Sequence, residues 1–241
     1  MKVIPLLSLT WMLLPIVIVA VVYARWVGKR WEIPLATLRM VSQLLLVGFV
    51  LNAIFATESW QVGVAILTFM MVVSAIIALR SQPKRSPRLF MDLLISIVLG
   101  GSFNLVLVIF AVVQPDPLLK LEVVIPMAGM IYSNAMNVLS VGGERFHKQI
   151  SEGSSYKEAR RETFRVGLIP QVNMFLAVGL VSLPGMMTGQ VLSGISPLIA
   201  VRYQITVMCM ILGSSGLSLM IFLFLQKNNM NHSWAVINEE N

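Results

Sequence analysis

Long apolar runs occupy most of this chain, and they restrict what it can fold into. Seven such segments lie at residues 5–24, 34–55, 60–79, 89–113, 121–141, 168–187 and 201–225. A helix needs about 20 mostly apolar residues to cross the hydrocarbon core of a bilayer. Only 12% of the residues are charged, about half the share of a soluble domain. We therefore predict an all-α fold, a polytopic membrane bundle of about seven helices that forms one transmembrane domain over residues 1–227.

The cations between these segments predict the orientation of the bundle. They cluster in alternate connections, at residues 25–30, 80–88 and 145–165, whereas Lys2 and Lys120 are the cations of the opposite side. Lysine and arginine are retained on the cytoplasmic side of membrane proteins. We therefore expect an outside N-terminus, an uncleaved first helix and an inside C-terminus, with residues 228–241 as a short flexible cytoplasmic tail.

The connection at residues 142–166 is the longest of the cytoplasmic loops and has a helix, turn and helix pattern. Gly153 can take a positive φ to end the first helix, and Ser154 or Ser155 can cap the second. A short charged elbow of this kind suits contact with a cytoplasmic partner. The pattern also fits an ordinary solvated loop that obeys the charge rule.

The fifth and sixth segments are the least apolar, and they interrupt their helices with prolines at 126, 170 and 184. Their polar residues can face a water-lined cavity or protein. These side chains can line a pathway, although hydrogen bonds between helices are the simpler explanation for any single asparagine. Nearby methionines can contact a soft metal or fill gaps in packing.

Three polar residues of the earlier segments also need an explanation. Arg39 and Gln43 are four residues apart and share one helix face. An arginine within a membrane helix is costly, so it should face a cavity or a partner group. Asp92 lies near the inner end of the fourth segment, where a structural pair with Arg39 is one alternative to a role in substrate binding.

Other patterns are weaker or exclude functions. Gly185 and Gly189 form a small-xxx-small pattern that suits a dimer interface or a re-entrant turn. The lone cysteine, Cys209, cannot form an intrachain disulfide or a cysteine cluster. The sequence has no glycine-rich loop followed by Lys-Ser/Thr and no catalytic constellation, so we expect neither an ATPase nor another enzyme. We also expect no nucleic-acid partner, because the basic residues follow the topology.

Several longer motifs resemble those of one family. They are Val-Ile-Pro-Met-Ala-Gly-Met-Ile at 124–131, Asn-Ala-Met at 134–136, Gly-Leu-Val-Ser-Leu-Pro-Gly-Met-Met-Thr-Gly at 179–189, and Arg-Tyr-Gln at 202–204. Arg39, Gln43 and Gly48 in the second segment fit the same pattern. The chain resembles the FetB-type ABC transporter permeases over essentially its whole length.

This resemblance implies a permease subunit of the plasma membrane, the inner membrane in bacteria, that forms a homodimer. Separate cytoplasmic ATPase subunits would bind ATP and Mg²⁺, with no cofactor bound by this chain. Bacterial members are linked to iron export and plant relatives to aluminium tolerance. The ATPase would be contacted by a set of elbow residues: Gly153, Tyr156, Glu158, Ala159, Arg160, Arg161 and Arg165.

The substrate pathway would run through the polar segments, although the charge of Arg39 argues against a simple cation path. The expected pathway residues are Arg39, Gln43, Met130, Asn134, Met136, Asn137, Gln171 and Asn173. No ligand set in the sequence selects a metal. The alternative is an ion-coupled secondary transporter or channel without an ATPase, in which Asp92 would be the coupling carboxylate.

Overall fold

The computed structural model describes residues 5–55, 59–117 and 119–239 of the chain. Regular structure in these residues is helical, with a single isolated bridge between Val178 and Ser182 and no strand in the described part. The predicted all-α fold is therefore confirmed. The contacts divide the chain into two compact units, Met1–Glu58 and Ser59–Asn241.

The first unit contains two long helices. A helical turn, α1 (Leu6–Leu9), continues through a 3₁₀ turn into α2 (Leu13–Val27), and α3 spans Glu32–Phe55. Gly28 ends α2 with a φ of 78°, a conformation that glycine adopts without a steric penalty. The Tyr23 hydroxyl donates a 2.8 Å hydrogen bond to the Glu32 carboxylate and so joins the end of α2 to the start of α3.

The second unit contains the remaining helices. They are α4 (Trp60–Arg80), α5 (Pro87–Leu107, continued by a π-helical turn to Val113), α6 (Leu121–Ser151), α7 (Tyr156–Ala177), α8 (Gly185–Leu192) and α9 (Pro197–Glu239). The start of α5 shows how the sequence sets a boundary. Ser86 caps it by accepting a hydrogen bond from the Leu89 N–H, and Pro87 takes the first helical position.

Six helical stretches of the described residues are long and apolar enough to cross a membrane. They match six of the seven predicted segments. The other, residues 168–187, is divided, because α7 ends at Ala177 and Gly179 turns the chain with a φ of 81° before α8 begins after Pro184. The orientation, the number of crossings, the single domain over residues 1–227 and the flexible tail stay predictions.

Helices α4, α5, α6, α7 and α9 enclose the hydrophobic core. Its largest fully buried side chains include Tyr132, Phe146 and Phe222. The backbones of α5 and α9 approach closely, and a Cβ added to Gly100 would be 2.6 Å from the backbone nitrogen of Ser218. Small residues allow two helix backbones to approach in this way.

The pairing of α6 with α7 positions the candidate site. Val138 lies against Gly167 and Gly142 against Thr163, so the two helices are antiparallel with a constant register. Gly142 lies about 20 residues after Leu121 along α6, and a helix of that length crosses the hydrocarbon core of a bilayer. From there α6 continues to Ser151, roughly 14 Å further at 1.5 Å per residue.

Candidate functional site

The elbow, residues 142–165, is a helical hairpin with a well-defined turn. Gly153 has a φ of 89°, as predicted. Ser155 caps α7 in a capping box, because its hydroxyl accepts a hydrogen bond from the Glu158 N–H while the Glu158 carboxylate accepts one from the Ser155 N–H at 3.0 Å. The choice between Ser154 and Ser155 as the cap is thereby settled in favour of Ser155.

The elbow is fastened to the core at the start of α7. The Tyr156 hydroxyl donates a 2.9 Å hydrogen bond to the Leu223 carbonyl of α9, and its ring lies edge-on to that of Phe146. Ala159 is fully buried. Tyr156 and Ala159, both expected to contact the ATPase, therefore make their contacts largely within this chain, and they join the elbow to the bundle.

The charged residues of the elbow lie on its exposed surface. Glu158, Arg160, Arg161 and Arg165 are exposed, as a surface for a partner requires. The Ser155 hydroxyl, and then its backbone N–H, hydrogen-bond to the Glu158 carboxylate and lower its pKa. Glu158 is therefore held in its charged form at neutral pH.

Glu162 forms ion pairs with two arginines of the elbow. Arg165 donates hydrogen bonds of 2.9 and 3.1 Å to its carboxylate, and Arg145 of α6 approaches it at 3.4 Å. The hydrogen bond from Arg165 is the main cause of the lowered pKa of Glu162. Glu162 therefore links α7 to α6, and Arg165 is partly neutralised.

The predicted pathway residues of α6 and α7 lie near one another. Continuing the register of these helices by one turn places Asn134 level with Gln171, about 12 Å from Gly142 at 1.5 Å per residue. The Asn134 amide donates a 2.8 Å hydrogen bond to the Met130 carbonyl. Gln171 is buried, and its Oε1 has no hydrogen-bond partner within the described residues.

The other pathway residues of this pair are divided between the surface and the core. Asn137 and Asn173 are exposed on their helices, whereas Met130 and Met136 pack against the hydrophobic core. The simpler explanation, packing, thus accounts for much of the environment of both methionines. Arg39 and Gln43 lie four residues apart on α3 of the first unit, and their place in a pathway stays a prediction.

A buried polar seam between α5 and α9 was missed by the sequence analysis. Gln226 donates a 3.0 Å hydrogen bond to Asp92, both residues being buried. Ser214, Ser215 and Ser218 are fully buried along the same side of α9. The signal in the sequence was the small residues around Gly100 and Ser218, but only a known pairing of α5 with α9 gives it meaning.

The small-xxx-small pair lies on α8 with open space around it. A Cβ added to Gly185 or Gly189 would meet no atom within 4 Å, so neither glycine is needed for packing within the chain. Their role between two copies stays a prediction. A cavity of about 500 Å³ beside α8 is lined mainly by apolar residues and includes Met187 and Cys209. The described residues contain no group of three or more His, Cys, Asp or Glu side chains that could hold a metal ion.

Comparison with known proteins places this helical architecture among membrane proteins. The model of an uncharacterised protein family, UPF0014, matches residues 6–230. The UPF0014 membrane protein slr1647 of Synechocystis is 34% identical over 195 residues, which cover 75% of each chain. No solved structure matches the chain significantly.

Two further relatives have names that describe a function. The "Probable iron export permease protein FetB" of Escherichia coli is 34% identical over 205 residues, covering 78% of this chain and 76% of the relative. "Protein ALUMINUM SENSITIVE 3" of Arabidopsis thaliana is 31% identical over 223 residues, covering 85% of this chain and 80% of the relative. The similarity therefore extends over most of each chain.

Proposed function

Because the chain belongs to the UPF0014 family of multi-span membrane proteins, we propose that it is the permease subunit of an ABC transporter that exports a metal ion such as iron. The name of its Escherichia coli relative supports iron export as the activity. The permease acts as a homodimer in the plasma membrane, which is the inner membrane in a bacterium. ATP and Mg²⁺ bind to a separate cytoplasmic ATPase subunit, so this chain is not itself an enzyme.

The observation that carries the proposal is the attachment of the charged elbow to three helices. Its two helices are continuous with α6 and α7, and the Tyr156 bond to Leu223 fastens it to α9. A force applied to the exposed charges of such a hairpin displaces three helices together. A flexible solvated loop would absorb the same force in its own backbone.

In the proposed mechanism, ATP-driven closure of the partner subunits moves the elbow and changes the access of the pathway. The ATPase shifts this equilibrium only by binding one state of the permease more tightly than the other. Asn134 of α6 and Gln171 of α7 lie at the same height in the two helices whose ends form the elbow. Movement at the elbow therefore reaches the pathway directly through α6 and α7.

The amide side chains near Asn134 and Gln171 suit an ion that is transported better than an ion that stays permanently bound. Carbonyl oxygens of Asn134, Asn137, Gln171 and Asn173 are neutral ligands. Transport requires a site that binds the ion well enough to admit it and weakly enough to release it. The metal is therefore the cargo, and it is held for part of the cycle.

A double variant of the elbow tests the proposal. Glu158→Gln with Arg161→Ala removes two exposed charges, while glutamine keeps a side chain that can complete the capping box. We expect a roughly thirty-fold weaker association with the ATPase, since truncating central contact residues costs about 2 kcal/mol or more. Co-purification and metal-stimulated ATP hydrolysis in proteoliposomes measure the effect.

A matched control removes the same two charges at the opposite end of the bundle. Lys120 and Glu122 form an exposed 3.1 Å ion pair on the side predicted to be outside. Lys120→Ala with Glu122→Gln should leave association with the ATPase unchanged. Equal association of both double variants would remove the elbow as the coupling site. Absence of any complex or stimulation with the unmodified chain would refute the ABC transporter assignment itself.

Asp92 distinguishes the proposal from an ion-coupled secondary transporter. It bonds to Gln226 next to Lys227, near the cation-rich end of the bundle. We expect Asp92→Asn to retain ATP-dependent transport, because asparagine still offers an oxygen to Gln226. Asp92→Ala should reduce stability by about 1–3 kcal/mol, since it leaves a buried amide without this partner. Transport in vesicles that needs no ATP and is abolished by Asp92→Asn would favour the secondary transporter.

A further inference from the structure

A basic cavity lies between α7 and α9, beside the elbow. Its volume is about 530 Å³, and its lining combines four cations with an apolar floor. The cations are Lys157, Arg160, Arg161 and Arg165, and the floor includes Phe164, Met220 and Phe224. The cavity therefore offers charge and apolar surface to one occupant at the same time.

Three of these four cations are available to an anion. Arg160 and Arg161 follow Lys157 by three and four residues, so each lies about one helical turn from it on the surface of α7. Lys157 and Arg161 make no ion pair with any described residue, whereas the neighbouring Arg165 is bound to Glu162. The Arg160 guanidinium lies 5.6 Å from the centre of the Tyr156 ring, a contact that positions it and leaves its charge in place.

The walls of the cavity are held by the fold. Ala159 and Thr163, on the opposite face of α7, are fully buried in the core. The hydrogen bond from Tyr156 to Leu223 fixes the start of α7 against α9. The cavity is therefore formed before any ligand binds, which reduces the entropic cost of binding.

The depth of the cavity matches the headgroup layer of a bilayer. Thr163 packs against Gly142, the level that α6 reaches about 20 residues after Leu121. Arg160 and Arg161 lie within about 5 Å of Thr163 along α7, and Lys157 within about 9 Å, at 1.5 Å per residue. Headgroups occupy roughly the 5–7 Å next to the hydrocarbon core. Arg160 and Arg161 thus lie at phosphate depth and Lys157 just beyond it, with Phe164 at the edge of the acyl chains.

We propose that this cavity binds the headgroup of an anionic glycerophospholipid of the cytoplasmic leaflet, with the lipid phosphate on Arg160 and Arg161 and the first acyl carbons on Phe164 and Phe224. Arginine recognises phosphate by paired hydrogen bonds, and basic cavities between membrane helices are suited to anionic headgroups. The apolar floor selects a lipid over a free phosphate ion. The net positive charge selects an anionic headgroup over a zwitterionic one.

Native mass spectrometry of the purified full chain tests this proposal in the absence of any ATPase, so its outcome is independent of the proposed function. The chain is titrated with dioctanoyl phosphatidylglycerol, dioctanoyl phosphatidylcholine or inorganic phosphate. We expect one phosphatidylglycerol to bind at concentrations where the other two do not. Equal binding of phosphatidylcholine, or equal competition by inorganic phosphate, would overturn the proposal.

A triple variant assigns the binding to the cavity. Lys157→Gln, Arg160→Gln and Arg161→Gln together should weaken phosphatidylglycerol binding on the order of 100-fold, since each cation beside the bound headgroup contributes about five-fold. The control, Lys84→Gln, Arg85→Gln and Arg88→Gln, removes the same charge from the connection between α4 and α5, and its binding should stay within about two-fold of the unmodified chain. If the triple variant does not fold, Lys157→Gln and Arg161→Gln carry the test singly, each with a loss of about five-fold. Binding by the cavity variants equal to that of the control would show that this cavity is not the lipid site.

Discussion

At the scale of single residues, the capping box of Ser155 and Glu158 holds the start of α7. Ser155→Ala removes the hydroxyl that accepts the Glu158 N–H. Loss of such a cap costs about 0.5–2 kcal/mol, so amide hydrogen exchange in the first turn of α7 should become about two- to thirty-fold faster. Hydrogen exchange with mass spectrometry measures this, with α6 residues around Ala135 as an internal control. Unchanged exchange at residues 156–159 would show that the box does not stabilise the elbow.

The same box predicts a dependence on pH. The pKa of Glu158 is lowered in the folded protein, so its carboxylate stabilises the elbow at pH values above its ordinary pKa. This stabilisation declines as the pH falls through the lowered pKa. Protection of the first turn of α7 should therefore decrease under acidic conditions in the unmodified chain and change less in Ser155→Ala.

Residue-scale predictions from sequence succeeded where the cause was local. The positive φ of Gly153 and the cap at Ser155 depend on a few adjacent residues, and both are present in the structure. The environments of Tyr156 and Ala159 depend on α9 and the core, which are far away in sequence. These two residues were therefore expected on a docking surface, whereas the structure places them largely inside the chain.

At the scale of helices, the contact between α5 and α9 depends on Gly100. A Cβ there would lie 2.6 Å from the Ser218 backbone, which cannot move aside as a flexible side chain can. We expect Gly100→Ala to reduce stability by about 1–3 kcal/mol, the usual cost of overpacking. Thermal unfolding in detergent should show a lower midpoint.

Gly216 of α9 provides the matched control. A Cβ added at this position would meet no atom within 4 Å, so Gly216→Ala should be neutral or slightly stabilising. An equal loss of stability in both variants would show that the close approach of α5 and α9 does not determine the result, because helix propensity favours alanine over glycine at both positions. The comparison isolates the helix contact because the two substitutions add the same methyl group.

The sixth predicted segment forms two separate helices in the structure. Hydropathy averages over about 20 residues and does not register one glycine turn among apolar neighbours. The turn at Gly179 and the extended backbone at Pro184 separate α7 from α8 although Leu180, Val181 and Leu183 are all apolar. The signals were present in the sequence, as Gly179 and Pro184, but a continuous apolar run outweighed them.

At the scale of the whole molecule, the predicted orientation can be tested with single cysteines. Cys209 is the lone native cysteine, so Cys209→Ser provides a cysteine-free background. Lys120→Cys should react with a membrane-impermeant maleimide in intact cells, whereas Lys84→Cys should react only after lysis, because retained cations mark the cytoplasmic side. The reverse pattern would invert the topology and place the elbow outside, where no cytoplasmic ATPase can reach it.

The amino-acid sequence by itself determined that this protein resides in a lipid bilayer and that its fold is all-α. A bilayer leaves backbone groups no partner outside the chain, so long apolar runs favour helices, and six of the seven runs form one long helix each. Loop charges and capping residues act over short distances, and for that reason the elbow could be located and its turn described. Which helices touch is decided by side-chain shape across residues distant in sequence. Only the tertiary structure therefore revealed the Asp92–Gln226 bond, the register that brings Asn134 level with Gln171, and the basic cavity between α7 and α9.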